Sequence, residues 1–322
     1  MNMAVRGRHL ALWGLFMAGG LLLPLLVDTG IIGRGTLRTI IMANFLAIFA
    51  MSWDVLSGRT GYISFGHPFL IGIGAYTTAI LTRRFDVAVE YSIPIAVLVT
   101  MIGGAVLFIP ALRIRGSYFA LVTLAFMELV YQLVQVIRPD LTGGTRGMSG
   151  IVTLTKGAVQ GYYLSFTLMA LLGFFLWLLM KTRLGTALSA IGMNEDSVAG
   201  SGLNTTRLKL VAFMLGAFAA GLGGAFYVHY LGSIAPRALF DINFVFTIIV
   251  AALIGGAATI TGPIFGAFFL TFLLEYLRPV LPGAERYLIY GGIALLVYMY
   301  QPGGLHKILE VGLERLRKRA NP

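Results

Sequence analysis

The chain has 322 residues, 58% of them hydrophobic and only 11% charged, with a mean hydropathy of +0.86. A soluble domain carries roughly 25% charge, so the composition excludes a soluble module and leaves an all-α polytopic membrane protein. The net charge of +11 lies mainly between apolar runs, which ties it to topology and lipid headgroups rather than to nucleic acid, and the absence of cysteine excludes thiolate nucleophiles, cysteine metal sites and disulfides.

A membrane helix needs about 20 mostly apolar residues. Ten runs qualify: 9–27, 36–56, 62–82, 91–112, 116–137, 160–180, 208–231, 241–260, 262–278 and 285–301. The first has no small-residue cleavage site after it and is read as a retained span. The third, GYISFGHPFLIGIGAY and beyond, is rich in glycine and holds Pro68, so a broken or re-entrant element fits it as well as a straight span. Gly262-Pro263 separates the eighth from the ninth, which predicts a tight helical hairpin. Ten spans with a cytoplasmic amino terminus put 181–209 and the carboxyl tail on the cytoplasmic side, with more than half of the basic residues. Arg83 and Arg84 fall on the opposite side in this scheme. The tail 302–322 reads as a basic amphipathic helix along the membrane surface.

Two polar connections are long. Arg138 to Gln160 is rich in Gly and Thr, shows no obvious secondary structure and is expected outside, either as a docking or entry surface or as an ordinary loop. The stretch 181–209 reads as folded. Leu184, Leu188 and Ile191 form one stripe of a short helix, which Gly192 can end in a left-handed conformation. Asn194 then has the position of an N-cap, with Glu195 and Asp196 in the first turn of a second short helix, Ser197, Val198 and Ala199 within it, and Gly202 stopping it. A solvated connector that merely reverses the chain is the plain alternative.

A P-loop requires Gly-Lys before Ser or Thr, and no Gly-Lys occurs. His-Glu-x-x-His and Gly-x-Ser-x-Gly are absent, so no catalytic or metal site is assigned. Ionisable residues inside apolar runs are costly and mark candidates. Asp54 lies near a span end and is expected to face headgroups or Arg59; His229 and Glu275, also near span ends, read as interfacial. Glu128 reads as an interhelical hydrogen-bonding group or as a pathway group. His67 between Gly66 and Pro68 is the stronger pathway candidate, together with Phe65 and with Tyr118 and Thr123 on the facing run. The glycines within apolar runs read mostly as close-packing positions.

Several stretches carry a family resemblance: 61–76, 115–130, LTGGTRGMSGI at 141–151, the long 184–236, LIGGAATITGPIFGA at 253–267 and QPGGL at 301–305. In that order the chain resembles a permease subunit of the branched-chain amino acid ABC importers. The resemblance implies one permease domain over 1–322 in the bacterial inner membrane, with both termini cytoplasmic. The implied partners are a second homologous permease, two cytoplasmic ATPase subunits that bind ATP and Mg, and a periplasmic or lipid-anchored solute-binding protein. It makes 181–209 a coupling loop, with Glu195 and Gly202 at the family's Glu and Gly. Ser197, Val198, Ala199 and Gly200 stand where the family usually carries alanines and a glutamate. Relatives carrying urea or short amides leave the solute open, and a self-sufficient secondary transporter or a membrane enzyme or scaffold are the rivals from other classes.

Overall fold

The computed structural model describes residues 13, 14, 16–24, 33–112, 114, 116–281, 283, 285–300, 303 and 304. The expected first span is therefore described only in part, and the expected amphipathic tail 302–322 lies outside the described residues apart from Gly303 and Gly304.

The helix that positions everything else is α1, Arg34–Trp53, extended by a π-turn over Asp54–Gly58. Hydrophobic residues surround its whole circumference, which is the pattern of a helix buried on all sides, and 89% of its apolar window is buried. The remaining long helices are α2 (His67–Arg84), α3 (Val89–Ala111), α4 (Ser117–Val136), α6 (Ala158–Met180), α9 (Thr205–Leu231), α11 (Ile242–Gly255), α12 (Thr261–Leu277) and α13 (Glu285–Tyr300). Between them lie the short helices α5 (Pro139–Thr142), α7 (Arg183–Met193), α8 (Glu195–Gly200) and α10 (Pro236–Leu239). α1 packs on α6, α9, α11 and α12, while α2, α3 and α9 all pack on one another.

Six of the described helical segments are long and apolar enough to cross a membrane, and α12 is a shorter apolar helix. An all-α polytopic membrane protein fits this architecture. The peripheral helices show the solvent they meet. On α3, Tyr91, Ile95, Leu98, Ile102, Val106 and Ile109 are exposed and follow one another at helical spacing. Ser92, Ala96, Thr100 and Gly104 on the same helix face inward. Apolar groups outside and small or hydroxylated groups inside are what hydrocarbon solvent selects. At Gly74 an added Cβ would stand 2.5 Å from the Gly221 carbonyl oxygen of α9, so these two backbones meet at a distance that only glycine permits.

Three expectations about boundaries need correction. The third element starts at His67 rather than 62, because Pro68 occupies the first turn and residues 61–66 run as irregular backbone. The break between α11 and α12 falls at 256–260 rather than at Gly262-Pro263, which sit inside the first turn of α12. The connection from Arg138 to Gln160 is not structureless: it holds α5, a 3-10 turn at Gly144–Arg146 and a two-residue strand β1, Met148–Ser149. β1 pairs antiparallel with β2, Ser233–Ile234, in the register Met148↔Ile234, so this connection is tied to the end of α9.

Candidate functional site

The stretch 181–209 folds as two short helices. Thr182 accepts a hydrogen bond from the Leu184 amide and caps α7, whose Leu188 and Ile191 are buried against the bundle. Asn194 Oδ1 accepts from the Ser197 amide at 2.9 Å and caps α8, with Glu195 and Asp196 in its first turn. Gly192 does not terminate α7, which continues to Met193. Its role is close approach, since an added Cβ would collide with the Arg59 carbonyl oxygen. Gly202 does take a left-handed conformation, φ +86°, after α8 ends.

Glu195 turns inward. Its carboxylate accepts hydrogen bonds from Lys209 Nζ at 2.8 Å and from the Tyr62 hydroxyl. Lys209 Nζ also donates to Tyr62 Oη at 3.1 Å and lies 4.3 Å from the centre of the Tyr62 ring. The Lys209 side chain is 3% exposed and that of Glu195 14%. Burial acts to raise the Glu195 pKa, but the bonds from Lys209 and Tyr62 outweigh it and hold the carboxyl below its ordinary value. Asn194, Asp196, Ser197, Ala199 and Gly202 are exposed, while Val198 is buried. Met193 is 89% exposed and Leu203 is half-exposed. The outer face of the loop is thus polar with two prominent apolar side chains, and the ionic contact is internal.

Tyr62 belongs to the irregular stretch 61–66, whose backbone polar groups are met by side chains. Trp53 Nε1 donates to the Ser64 carbonyl at 2.8 Å, the Ser64 amide donates to Ser57 Oγ at 3.1 Å, and the Phe65 amide donates to Thr123 Oγ1 at 3.0 Å. Non-helical backbone packed inside a bundle requires such partners. Phe65, Gly66, His67 and Thr123 are therefore brought together, with His67 1% exposed. Tyr118 and Glu128 are not part of this group: both lie on the exposed side of α4, where Glu128 accepts from Gln132 Nε2 at 2.6 Å. The Arg59 guanidinium donates to Ser189 Oγ of α7 at 3.4 Å, a second link between loop and bundle.

Two ionisable residues differ from expectation. Asp54 is fully buried rather than at the headgroups, though within electrostatic reach of Arg59 as the alternative had it, and its carboxylate accepts from the Ala258 amide at 2.6 Å and the Ile260 amide at 3.3 Å. The elbow 256–260 turns its amides toward that carboxylate by holding Ala258 and Ile260 at positive φ. His229 is likewise buried rather than interfacial, bonded through Nδ1 to the Val152 carbonyl at 2.6 Å and through Nε2 to Thr78 Oγ1 at 2.8 Å. The Val152 carbonyl can only accept, so Nδ1 carries the proton and Nε2 accepts. Lys209 and Tyr62 belong to the site without a motif that marks them. A lone cation just inside the apolar run 208–231 was the available signal.

The comparisons with known proteins agree on one family. A family profile described as branched-chain amino acid transport system / permease component matches residues 35–298. The LivM permease of the high-affinity branched-chain amino acid transport system of Salmonella typhimurium is 27% identical over 303 residues, covering 85% of this chain and 70% of LivM. A probable LivM of Methanocaldococcus jannaschii is 24% identical over 268 residues, 76% of this chain and 77% of that protein. The autoinducer 2 import permease LsrC of Escherichia coli O157:H7 is 26% identical over 270 residues, 76% of this chain and 79% of LsrC. No solved structure matches the chain.

Proposed function

Because the chain belongs to the permease components of branched-chain amino acid transport systems, we propose that it is the membrane-spanning subunit of an ATP-driven importer of branched-chain amino acids. The observation that carries this reading is the loop 181–209, two capped helices fastened to the bundle through Glu195, Lys209 and Tyr62 and presenting Met193, Asp196, Ser197 and Leu203 outward. A connector that only reversed the chain would need neither the caps nor a buried ion pair. In this reading α8 and its flanks dock on one of two cytoplasmic ATPase subunits, which bind ATP and Mg. A second permease subunit completes the pathway, and a periplasmic or lipid-anchored protein delivers the solute.

The mechanism is alternating access. ATP binding moves the docked loop, and the Glu195–Lys209–Tyr62 contact passes that motion to the stretch 61–66 and so to Phe65, Gly66, His67 and Thr123, which we place on the solute route. Both termini and the loop face the cytoplasm of a bacterial inner membrane, with ten crossings. The relatives named for autoinducer 2 and ribose import keep a second reading alive, the same machine with another small polar solute; a urea or short-amide permease falls under it.

Uptake of radiolabelled leucine, valine, ribose and urea into proteoliposomes, with and without the co-expressed ATPase subunits and ATP, tests the reading. ATP-dependent uptake of leucine and valine is expected. Uptake independent of the ATPases would overturn the importer, and uptake of ribose or urea alone would overturn the solute.

A further inference from the structure

Four helices enclose an open cavity of about 360 Å³, within the range of roughly 300–1,000 Å³ usual for small-molecule sites. Its wall is built from Phe45 and Phe49 of α1, Tyr227 of α9 and Phe244 of α11, which touch edge to face with ring centres 5.1–5.8 Å apart. Thr247 of α11, Thr271 and Glu275 of α12, and Arg278, the residue that caps the end of α12, supply its polar groups. The cavity lies toward the end of the bundle remote from the loop 181–209. Tyr227 comes twenty-two residues after Thr205, about 33 Å along α9 at 1.5 Å per residue. Arg278 comes at the far end of α12 from Thr261, beside the elbow that Asp54 holds.

Glu275 and Arg278 form a surface pair that also lines the cavity. Phe265, Phe269, Phe272 and Tyr276 recur at helical spacing as the exposed apolar stripe of α12. Thr271, Leu274, Glu275 and Arg278 follow the i, i+3, i+4, i+7 pattern on a different stripe, the one that lines the cavity. Their own ion pair is long, 3.8 Å, with side chains 55% and 69% exposed, so each retains hydrogen-bonding capacity toward a third party. Both threonine hydroxyls donate to the carbonyl four residues back, Thr247 to Asn243 and Thr271 to Ala267, each at 2.7 Å. Their lone pairs are left to accept.

We infer that this cavity is a binding site for a free α-amino acid with an apolar side chain, taken up at the end of the permease remote from its coupling loop. Arg278 receives the α-carboxylate through its planar guanidinium, Glu275 and the threonine hydroxyls receive the α-ammonium, and the aromatic wall takes the side chain. The pairing requires both charges of a zwitterion. A sugar or urea presents neither, so the site separates the two solute readings above. The inference rests on the proposed importer activity and adds the residues that select its solute.

The test is competition for leucine uptake by the complete complex in proteoliposomes, in wild type and in Arg278→Gln, Arg278→Lys, Glu275→Gln and Phe265→Ala. The competitors are L-valine, leucinamide, which lacks the carboxylate, and 4-methylpentanoate, which lacks the ammonium. Wild type is expected to prefer valine over leucinamide by more than tenfold. Arg278→Gln should raise the KM for leucine by more than tenfold and abolish that preference, while Arg278→Lys restores part of it. Glu275→Gln should weaken discrimination against 4-methylpentanoate, and Phe265→Ala, on the other stripe, should change neither. Co-purification with the ATPase subunits reports whether each variant is assembled. Assembled Arg278→Gln and Glu275→Gln that keep wild-type KM and wild-type discrimination would overturn the site while leaving the importer standing. A wild-type complex that carries no amino acid would overturn both.

Discussion

The two ends of the bundle treat charge in opposite ways. At the loop end Lys209 is buried and Glu195 partly so, 2.8 Å apart and both bonded to Tyr62, and Asp54 is closed by two backbone amides. At the other end Glu275 and Arg278 stand 3.8 Å apart, both more than half exposed, over an open cavity. A buried, fully bonded pair resists rearrangement, because separating its members strands a desolvated charge. A loose, hydrated pair exchanges partners at little cost. On the proposed importer reading, rigid electrostatics sit where motion is passed from the ATPase, and yielding electrostatics where the solute binds and leaves.

The largest expected effect comes from removing one member of the sealed pair. Lys209→Met leaves the Glu195 carboxylate buried beside Tyr62, and a cost of about 3 kcal/mol is expected. Thermal unfolding in detergent and protease sensitivity of 181–209 measure it, and an unchanged midpoint would break the contrast. Protonation probes the same pair. The Glu195 carboxyl titrates below its ordinary 4.5 in the folded chain, so its stabilisation is complete above that value and is lost only as pH falls further, through the lowered folded value. Attachment of the loop should therefore be flat between about pH 6 and 8.

Asp54→Asn comes next. It keeps the shape of the side chain but replaces a charged acceptor of two amides, and about 2 kcal/mol of destabilisation is expected, with cleavage or cysteine labelling at 256–260 reporting a loosened elbow. Gly202→Val is smaller, about 1 kcal/mol, because a β-branched side chain meets a φ of +86° with open space around it. ATPase co-purification should fall further than the unfolding midpoint does. The smallest effect belongs to the open pair: Glu275→Gln should change the unfolding midpoint by less than the equivalent of about 0.5 kcal/mol. A loss comparable to that of Lys209→Met would show that both ends are structural.

Much of the loop was legible in the chain, since caps and stops are local. Asn194 before Glu195 and Asp196, and Gly202 after the small residues, announce a short helix within nine positions. What was not legible is where the side chains point. Glu195 reads as a surface carboxylate until Lys209, 14 residues on, and Tyr62, 133 residues back, are folded against it. Asp54 reads as an interfacial group because nothing in Ala258 or Ile260 advertises positive φ; the tertiary contact imposes it. The cavity is a third case. Its α12 stripe is visible as a helical period, but the aromatic wall gathers residues 45, 49, 227 and 244 from three helices.

The π-turn at Asp54–Gly58 makes this region intolerant of a change in chain length. Such a turn carries one residue more than an α-helical turn would need, and each helical residue advances the chain by about 100°. Deleting one residue there would permit a smoother helix, yet it would rotate everything downstream by that angle. Asp54 would still face the elbow, while Arg59, Gly61 and Tyr62 would swing away from Ser189, Gly192 and Glu195. Insertions and deletions between 54 and 62 should accordingly be rejected even where single substitutions at Val55 or Leu56 survive. The surplus residue sets the angular phase between the core helix and the loop it carries.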